Sequence, residues 1–196
     1  MGELLNQKIA KHTSDSVELF DSLIPGKTFM TIEYTTPKEY IELYWRALSK
    51  AGKPTLHGNI FEYIIYTLLY REGIKPFYTQ AKVAFVPNVN FDTLLYCQAT
   101  PISLSLKTSL RERYKQADLE AIALKYVHRK SKCYLLTMDS NEASVQKAKI
   151  LSGDIIGLDE IIDCNSNDIN DLITRIKQIH FTQSTKIDIV QGNLIV

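Results

Sequence analysis

Asp92, Ser105 and Lys107 are residue types that together can act on a phosphate ester, and they lie close in the chain. Ser105 follows Asp92 by thirteen positions and Lys107 by fifteen. In Ile102-Ser103-Leu104-Ser105-Leu106-Lys107 apolar and polar residues alternate. That is the period of a strand with one face on a core and the other open. Phosphodiester hydrolysis needs a charge clamp on the scissile phosphate, an activated water and help for the leaving oxygen. Mg²⁺ held by one or two carboxylates and backbone carbonyls, with its other positions kept by water, supplies much of this. A lysine beside it stabilises the attacked phosphate. On that chemistry Asp92 is a direct ligand, the Leu106 carbonyl is available as another, and Lys107 is the charge partner.

Two strands must bring these groups together. The pattern predicts Asn90 to Gln98 and Pro101 to Ser109, joined by a turn at Ala99-Thr100-Pro101. Before them, Leu56 to Glu72 reads as the strongest helix: Ile60, Phe61, Ile64, Ile65, Leu68 and Leu69 form a broad apolar face, closed by Gly73. Glu62 sits beside that face, near Ile65 and Tyr66 at helical spacing. It reads either as an exposed acid favoured by the helix dipole or as a carboxylate aimed at the sheet's active edge. After the strands, Ser109 caps a helix from Leu110 to about His128, with Glu112 completing a capping box. Arg111, Arg113 and Lys115 fall in its first two turns. Cations there oppose the helix dipole by about 0.3–1 kcal/mol each, a mismatch that points to an anionic ligand. Gln116, on the same helix, reads as a phosphate or water contact or as a solvated side chain.

The remaining elements frame this centre. Helices are predicted over Ser14 to Ile24 and from Pro37, capped by Thr36, to Gly52. Thr28 to Thr35 has strand-like residues, and a strand runs from Phe77 to Val86, ended by Pro87-Asn88. Beyond the basic helix come a strand at Cys133 to Met138, a helix at Asn141 to Leu151, a partial strand in Ile155 to Ile162 and a helix at Asp168 to Ile179. Lys186 to Val190 and Asn193 to Val196 read as a hairpin across Gln191-Gly192. Consecutive strands, then a strand reached through a helix, imply a mixed sheet with helices packed on it, an α/β fold. A chain of 196 residues, 45% hydrophobic, is most simply a single domain.

Net charge is only +1, so the molecule is not a general polycation. Residues 107–132 nevertheless hold eight Lys/Arg against three Asp/Glu, a local +5. Such a block beside a metal site suits a phosphate backbone; a solvated helix face is the plain alternative. The four histidines are scattered, and the three cysteines, Cys97, Cys133 and Cys164, show no zinc spacing. Free thiols in a reducing compartment are expected. No signal-peptide core and no long apolar stretch is present, so a cytoplasmic protein without membrane contact is expected. Walker, Gly-x-Ser-x-Gly and Gly-x-Gly-x-x-Gly patterns are missing, which leaves nucleotide binding and acyl transfer unsupported.

With Glu62 on a helix, Asp92 on one strand and Ser105-Leu106-Lys107 on the next, the chain resembles the PD-(D/E)xK, restriction-endonuclease-like superfamily, most of all a small type II restriction enzyme. The resemblance covers approximately residues 57–138, with elaborations at 1–56 and 139–196. His57-Gly58-Asn59-Ile60-Phe61-Glu62 is similar to the opening of the family's first helix, and Leu106 to Gln116 to its strand-to-helix joint. It implies a restriction-endonuclease-like core with a central mixed β-sheet flanked by helices. It also implies a Mg²⁺-dependent homodimer cutting double-stranded DNA. Catalytic roles would fall to Asp92, Lys107, Glu62 and Ser105, metal ligation to Asp92, Glu62 and the Leu106 carbonyl, and DNA contact to Arg111, Arg113, Lys115 and Gln116. Ser105 stands where the family carries an acid. Glu62 supplies the missing charge, or Glu112 or Glu120 on the following helix does. Otherwise the protein is an inactive nucleic-acid-binding or assembly protein on the same scaffold.

Overall fold

The computed structural model describes residues 2–86, 88–97, 100–184 and 189–196. Its centre is a six-stranded mixed sheet flanked by helices: β1 (Phe77–Val83), β2 (Phe91–Leu95), β3 (Ile102–Lys107), β4 (Lys132–Thr137), β5 (Glu160–Asp163) and β6 (Ile189–Ile195). The strand order is β5-β4-β3-β2-β1-β6. The pairs β1–β2, β2–β3 and β1–β6 are antiparallel, while β3–β4 and β4–β5 are parallel.

Helices cover both faces. On one side lie α1 (Glu3–Asn6), α2 (Asp15–Ser22), α3 (Pro37–Ala51), α4 (His57–Arg71) and, later in the chain, α7 (Asp168–Ile176). On the other lie α5 (Arg113–Val127) and α6 (Ser140–Ser152). The caps are those expected of the residue types. The Ser14 hydroxyl accepts from the Val17 N–H of α2, and the Thr36 hydroxyl accepts from the Glu39 N–H of α3 at 3.2 Å. The Glu39 carboxylate reaches back to the Thr35 N–H at 2.8 Å. Helix α4 buries Ile60, Phe61, Ile64, Ile65, Leu68 and Leu69 almost completely. At roughly 1.5–3 kcal/mol for each such side chain, this burial fixes the helix, and with it Glu62, against the sheet.

The structure departs from the sequence-based expectation at several places. Thr28 to Thr35 forms no strand: the Thr28 carbonyl accepts from the N–H groups of Thr31 and Ile32, so the segment turns. Phe29 and Ile32 are buried by that turn, and Arg71 donates to both of their carbonyls. β1 stops at Val83, before a turn in which Phe85 has a left-handed backbone. Ser109 does not cap α5. The helix starts at Arg113 with no side-chain cap, and Arg111 precedes it with φ 33°. The Arg111 N–H donates to the Glu142 carboxylate. Nor is the face of Ser103, Ser105 and Lys107 open, because α5 lies over it and Ser103 is buried.

No C-terminal hairpin forms across Gln191-Gly192. β6 runs straight through both residues beside β1. Thr79 pairs with Asn193 and Lys82 with Gln191, which leaves one extra residue on β1, a bulge. A Cβ on Gly192 would come within 3.3 Å of the Ala81 Cα. The glycine serves close approach of two strands rather than a turn. Residues 185–188, which include the start of that expected hairpin at Lys186, lie outside the described residues, as do Gln98, the end of the expected first strand, and Ala99, in the expected turn between β2 and β3.

Candidate active site

β2 and β3 pair with Thr93 opposite Leu104 and Leu94 opposite Ser103. One step further along this register sets Asp92 opposite Ser105. There the Asp92 side chain takes the place of a ladder partner. Its Oδ2 accepts from the Leu106 N–H at 2.7 Å and from the Lys107 ammonium at 2.8 Å. The Asp92 and Lys107 side chains are only 12% and 14% exposed, so this ion pair is largely withdrawn from water. A strand residue carries its N–H and C=O on the same edge, so the Leu106 carbonyl also faces the Asp92 side.

Two more carboxylates approach. Glu62 Oε2 accepts from the Tyr66 hydroxyl, one helical turn on, at 3.0 Å and from the Gln80 amide at 3.0 Å. The Tyr66 hydroxyl also lies 2.9 Å from the Asp92 carbonyl. Burial, and then the negative charge of Asp92, push the Glu62 carboxyl up to about 7; Tyr66, Lys107 and Gln80 oppose that rise. From the other face comes Glu120 of α5, held by the Gln116 amide at 2.7 Å. Its pKa is also raised, by burial first and by Asp92 as well, against the pull of Gln116 and Lys107. Thus Asp92, Glu62 and Glu120 share the field of one lysine, and the carboxylates at both flanks resist ionising. Three carboxylates in the field of one cation leave a negative excess that a divalent ion would neutralise.

Ser105 completes the floor. Its Oγ is buried and has no hydrogen-bond partner. With Asp92 and Glu120 it lines a cavity of about 10 Å³ between β3 and α5, close to the space of one water molecule. An orphaned hydroxyl beside carboxylate oxygens fits a hard, oxygen-seeking ion such as Mg²⁺. Among the described residues, however, no three His, Cys, Asp or Glu side chains converge as a ready-made metal group. Of the two acids expected to offer the missing charge, Glu112 and Glu120, Glu120 turns to the site. Glu112 is 80% exposed and pairs with Lys115.

The structure brings Glu62, Asp92, Ser105, Leu106 and Lys107 together. Arg111, Arg113 and Lys115 stay at the exposed surface near the start of α5, and Gln116 touches the site only through Glu120. Of the basic block, Lys125 and Lys132 are taken up by Asp159.

Three residues of the site have no counterpart among the sequence-based candidates. Tyr66 reads as packing, though its position four after Glu62 is the signal for a contact. Gln80 and Asn90 carry no signal of their own. Gln80 sits at the β1 bulge with φ 50°, and Asn90 donates to it at 2.6 Å. A non-glycine residue in this conformation is strained; here the bulge turns Gln80 onto Glu62.

Cys133 and Cys164 are buried and Cys97 is half-buried, all as free thiols. Burial raises the Cys133 thiol to about 11, far from a reactive thiolate. No described helix is long and apolar enough to cross a membrane. No protein-family model, no curated protein and no solved structure matches the chain.

Proposed function

We propose that this chain is a Mg²⁺-dependent endodeoxyribonuclease with a restriction-endonuclease-like core, a type II restriction enzyme acting as a homodimer on double-stranded DNA. The observation that carries this reading is the Asp92–Lys107 pair at 2.8 Å, flanked by two carboxylates whose ionisation it only partly supports. Asp92, Glu62 and the Leu106 carbonyl would hold the ion, and Glu120 adds the charge that Ser105 does not. When bound, Mg²⁺ supplies Lewis-acid polarisation of the phosphate and a more acidic water. Lys107 carries the positive charge that faces the attacked phosphate. Tyr66 and Gln80 keep Glu62 in one orientation, so little reorganisation is needed as substrate arrives. Arg111 and Arg113, without ion pairs among the described residues, would hold the DNA backbone at the mouth of the site. Cutting both strands of a two-fold target calls for two copies of the chain.

A second reading, an inactive nucleic-acid-binding or assembly protein on the same scaffold, is favoured by one feature. Asp92 Oδ2 is already satisfied by Lys107 and the Leu106 N–H. Plasmid cleavage with Mg²⁺ and with chelator separates the two. Discrete fragments that disappear in Asp92→Ala and Lys107→Ala are the expected result. Salt-sensitive DNA binding without any cleavage would establish the second reading.

A further inference from the structure

A groove runs away from the site on the side opposite α5. Its inner wall is Glu62 with Tyr63 and Tyr66, its floor is the bulged part of β1, and its outer rim is formed by Lys11, His12 and Lys82. It has a volume of about 330 Å³ and continues into a shallower depression along Lys8 to Thr13. Glu62 is the acid among the described residues that line it. Lys8, Lys11 and Lys82 form no ion pair among the described residues.

Two structural features hold the groove open. The Gln80 bulge bends β1 locally, and Gly192, lacking a side chain, lets β6 close up beside it. Asn193 of β6 donates to the carbonyls of Lys8 and Ile9, which fixes the segment bearing Lys11 and His12 along the rim. The cations therefore come from separate parts of the chain that the fold brings to one channel ending at the reacting centre.

We propose that this groove binds the sugar–phosphate backbone of the substrate strand beyond the scissile phosphate, with Lys11 and Lys82 each neutralising a phosphate. The inference rests on the endonuclease reading, since it takes Glu62 as the junction between groove and site. It adds a second cationic wall, opposite the one at the start of α5 and built from residues far from the basic block at 107–132. The strand then passes between two basic surfaces, with Asp92 and Lys107 at the middle.

The test is the salt dependence of binding to plasmid-derived duplex DNA in chelator, which prevents cutting. The full chain is compared with Lys11→Ala/Lys82→Ala and with Lys27→Ala/Lys50→Ala, which removes two exposed lysines elsewhere. Each phosphate that the protein ceases to neutralise lowers the slope of log K against log salt by about 0.9. A slope reduced by about 2 in the groove variant, with the control unchanged, is the expected result. Wild-type DNA binding and cleavage with a groove variant whose slope equals the control would overturn the groove and leave the endonuclease reading standing. Failure of the unaltered protein to bind or cut DNA would overturn both.

Discussion

Asp92 stands between two carboxylates that the fold holds in unlike ways. Glu62 belongs to α4, whose buried apolar side chains lock it to the sheet. It is bonded by Tyr66 from its own helix and by Gln80 from β1, and Gln80 is bonded in turn by Asn90. Glu120 belongs to α5, which begins without a side-chain cap after a residue of positive φ. Its hydrogen-bond partner is Gln116, an exposed residue of the same helix. A group tied to two elements keeps its place when its charge changes, whereas a group tied to its own helix can swing. Glu62 is built as a preorganised component of a site and Glu120 as an adjustable one.

Activity tests this contrast most strongly. Asp92→Ala and Lys107→Ala remove the pair common to both flanks, and each should lower single-turnover cleavage by about 10²–10³-fold or more. Between the flanks, Glu62→Gln should lose on the order of 10²-fold and Glu120→Gln only about tenfold. Equal losses at the two positions would dissolve the distinction, and a larger loss at Glu120 would reverse it.

Much of this arrangement was legible in the sequence because it is local. Alternation in Ile102 to Lys107 placed Lys107 on a strand, and the apolar stripe of α4 placed Glu62 on a helix against the sheet. Tyr66 orients Glu62 from the same helix, but the other orienting group comes from a pairing of distant segments. Gln80 reaches Glu62 through a bulge that exists because β6, more than a hundred residues later, pairs with β1. Nothing near Gln80 in the chain encodes that. The C-terminal misreading has the same origin: Gln191-Gly192 has turn chemistry, yet the close approach of Ala81 is what the glycine accommodates. Ser105 was legible as a polar residue on a half-exposed strand. That α5 would cover that face, and leave its hydroxyl unpartnered, depended on a packing contact without a pattern of its own.

Stability against pH gives a second, smaller test. The Glu62 carboxyl ionises near 4.5 when free and is pushed up to about 7 in the folded protein. Between those values the native state binds more protons than the unfolded chain, so wild-type stability falls as pH rises through this window. Below it both states are protonated and the effect vanishes; above it the loss is complete. Glu62→Gln has no proton to release there. In metal-free protein its melting temperature should match wild type near pH 4 and exceed it by several degrees at pH 8. A difference independent of pH would show that Glu62 carries no ionisation strain. Saturating Mg²⁺ should narrow the difference at pH 8, since an ion held about 100-fold above its Kd adds about 2.7 kcal/mol to the state that binds it.

The smallest effect is expected at Ser105, in the cavity it shares with Asp92 and Glu120. Its buried hydroxyl has no partner, and a group left unsatisfied in this way costs about 1–3 kcal/mol. Ser105→Ala removes it without changing the backbone. The metal-free variant should be about 1 kcal/mol more stable, a rise of roughly 2–4 °C in melting temperature for a chain of this size. Ser105→Asp runs the other way. It adds a carboxylate to the cavity lined by Asp92 and Glu120, so repulsion lowers the metal-free melting temperature, while the Mg²⁺ concentration for half-maximal cleavage falls. If alanine destabilises instead, the hydroxyl is bonded in solution and is no free ligand. The missing charge then rests on Glu62 and Glu120 alone, and the unequal losses of their glutamine variants measure how it is divided.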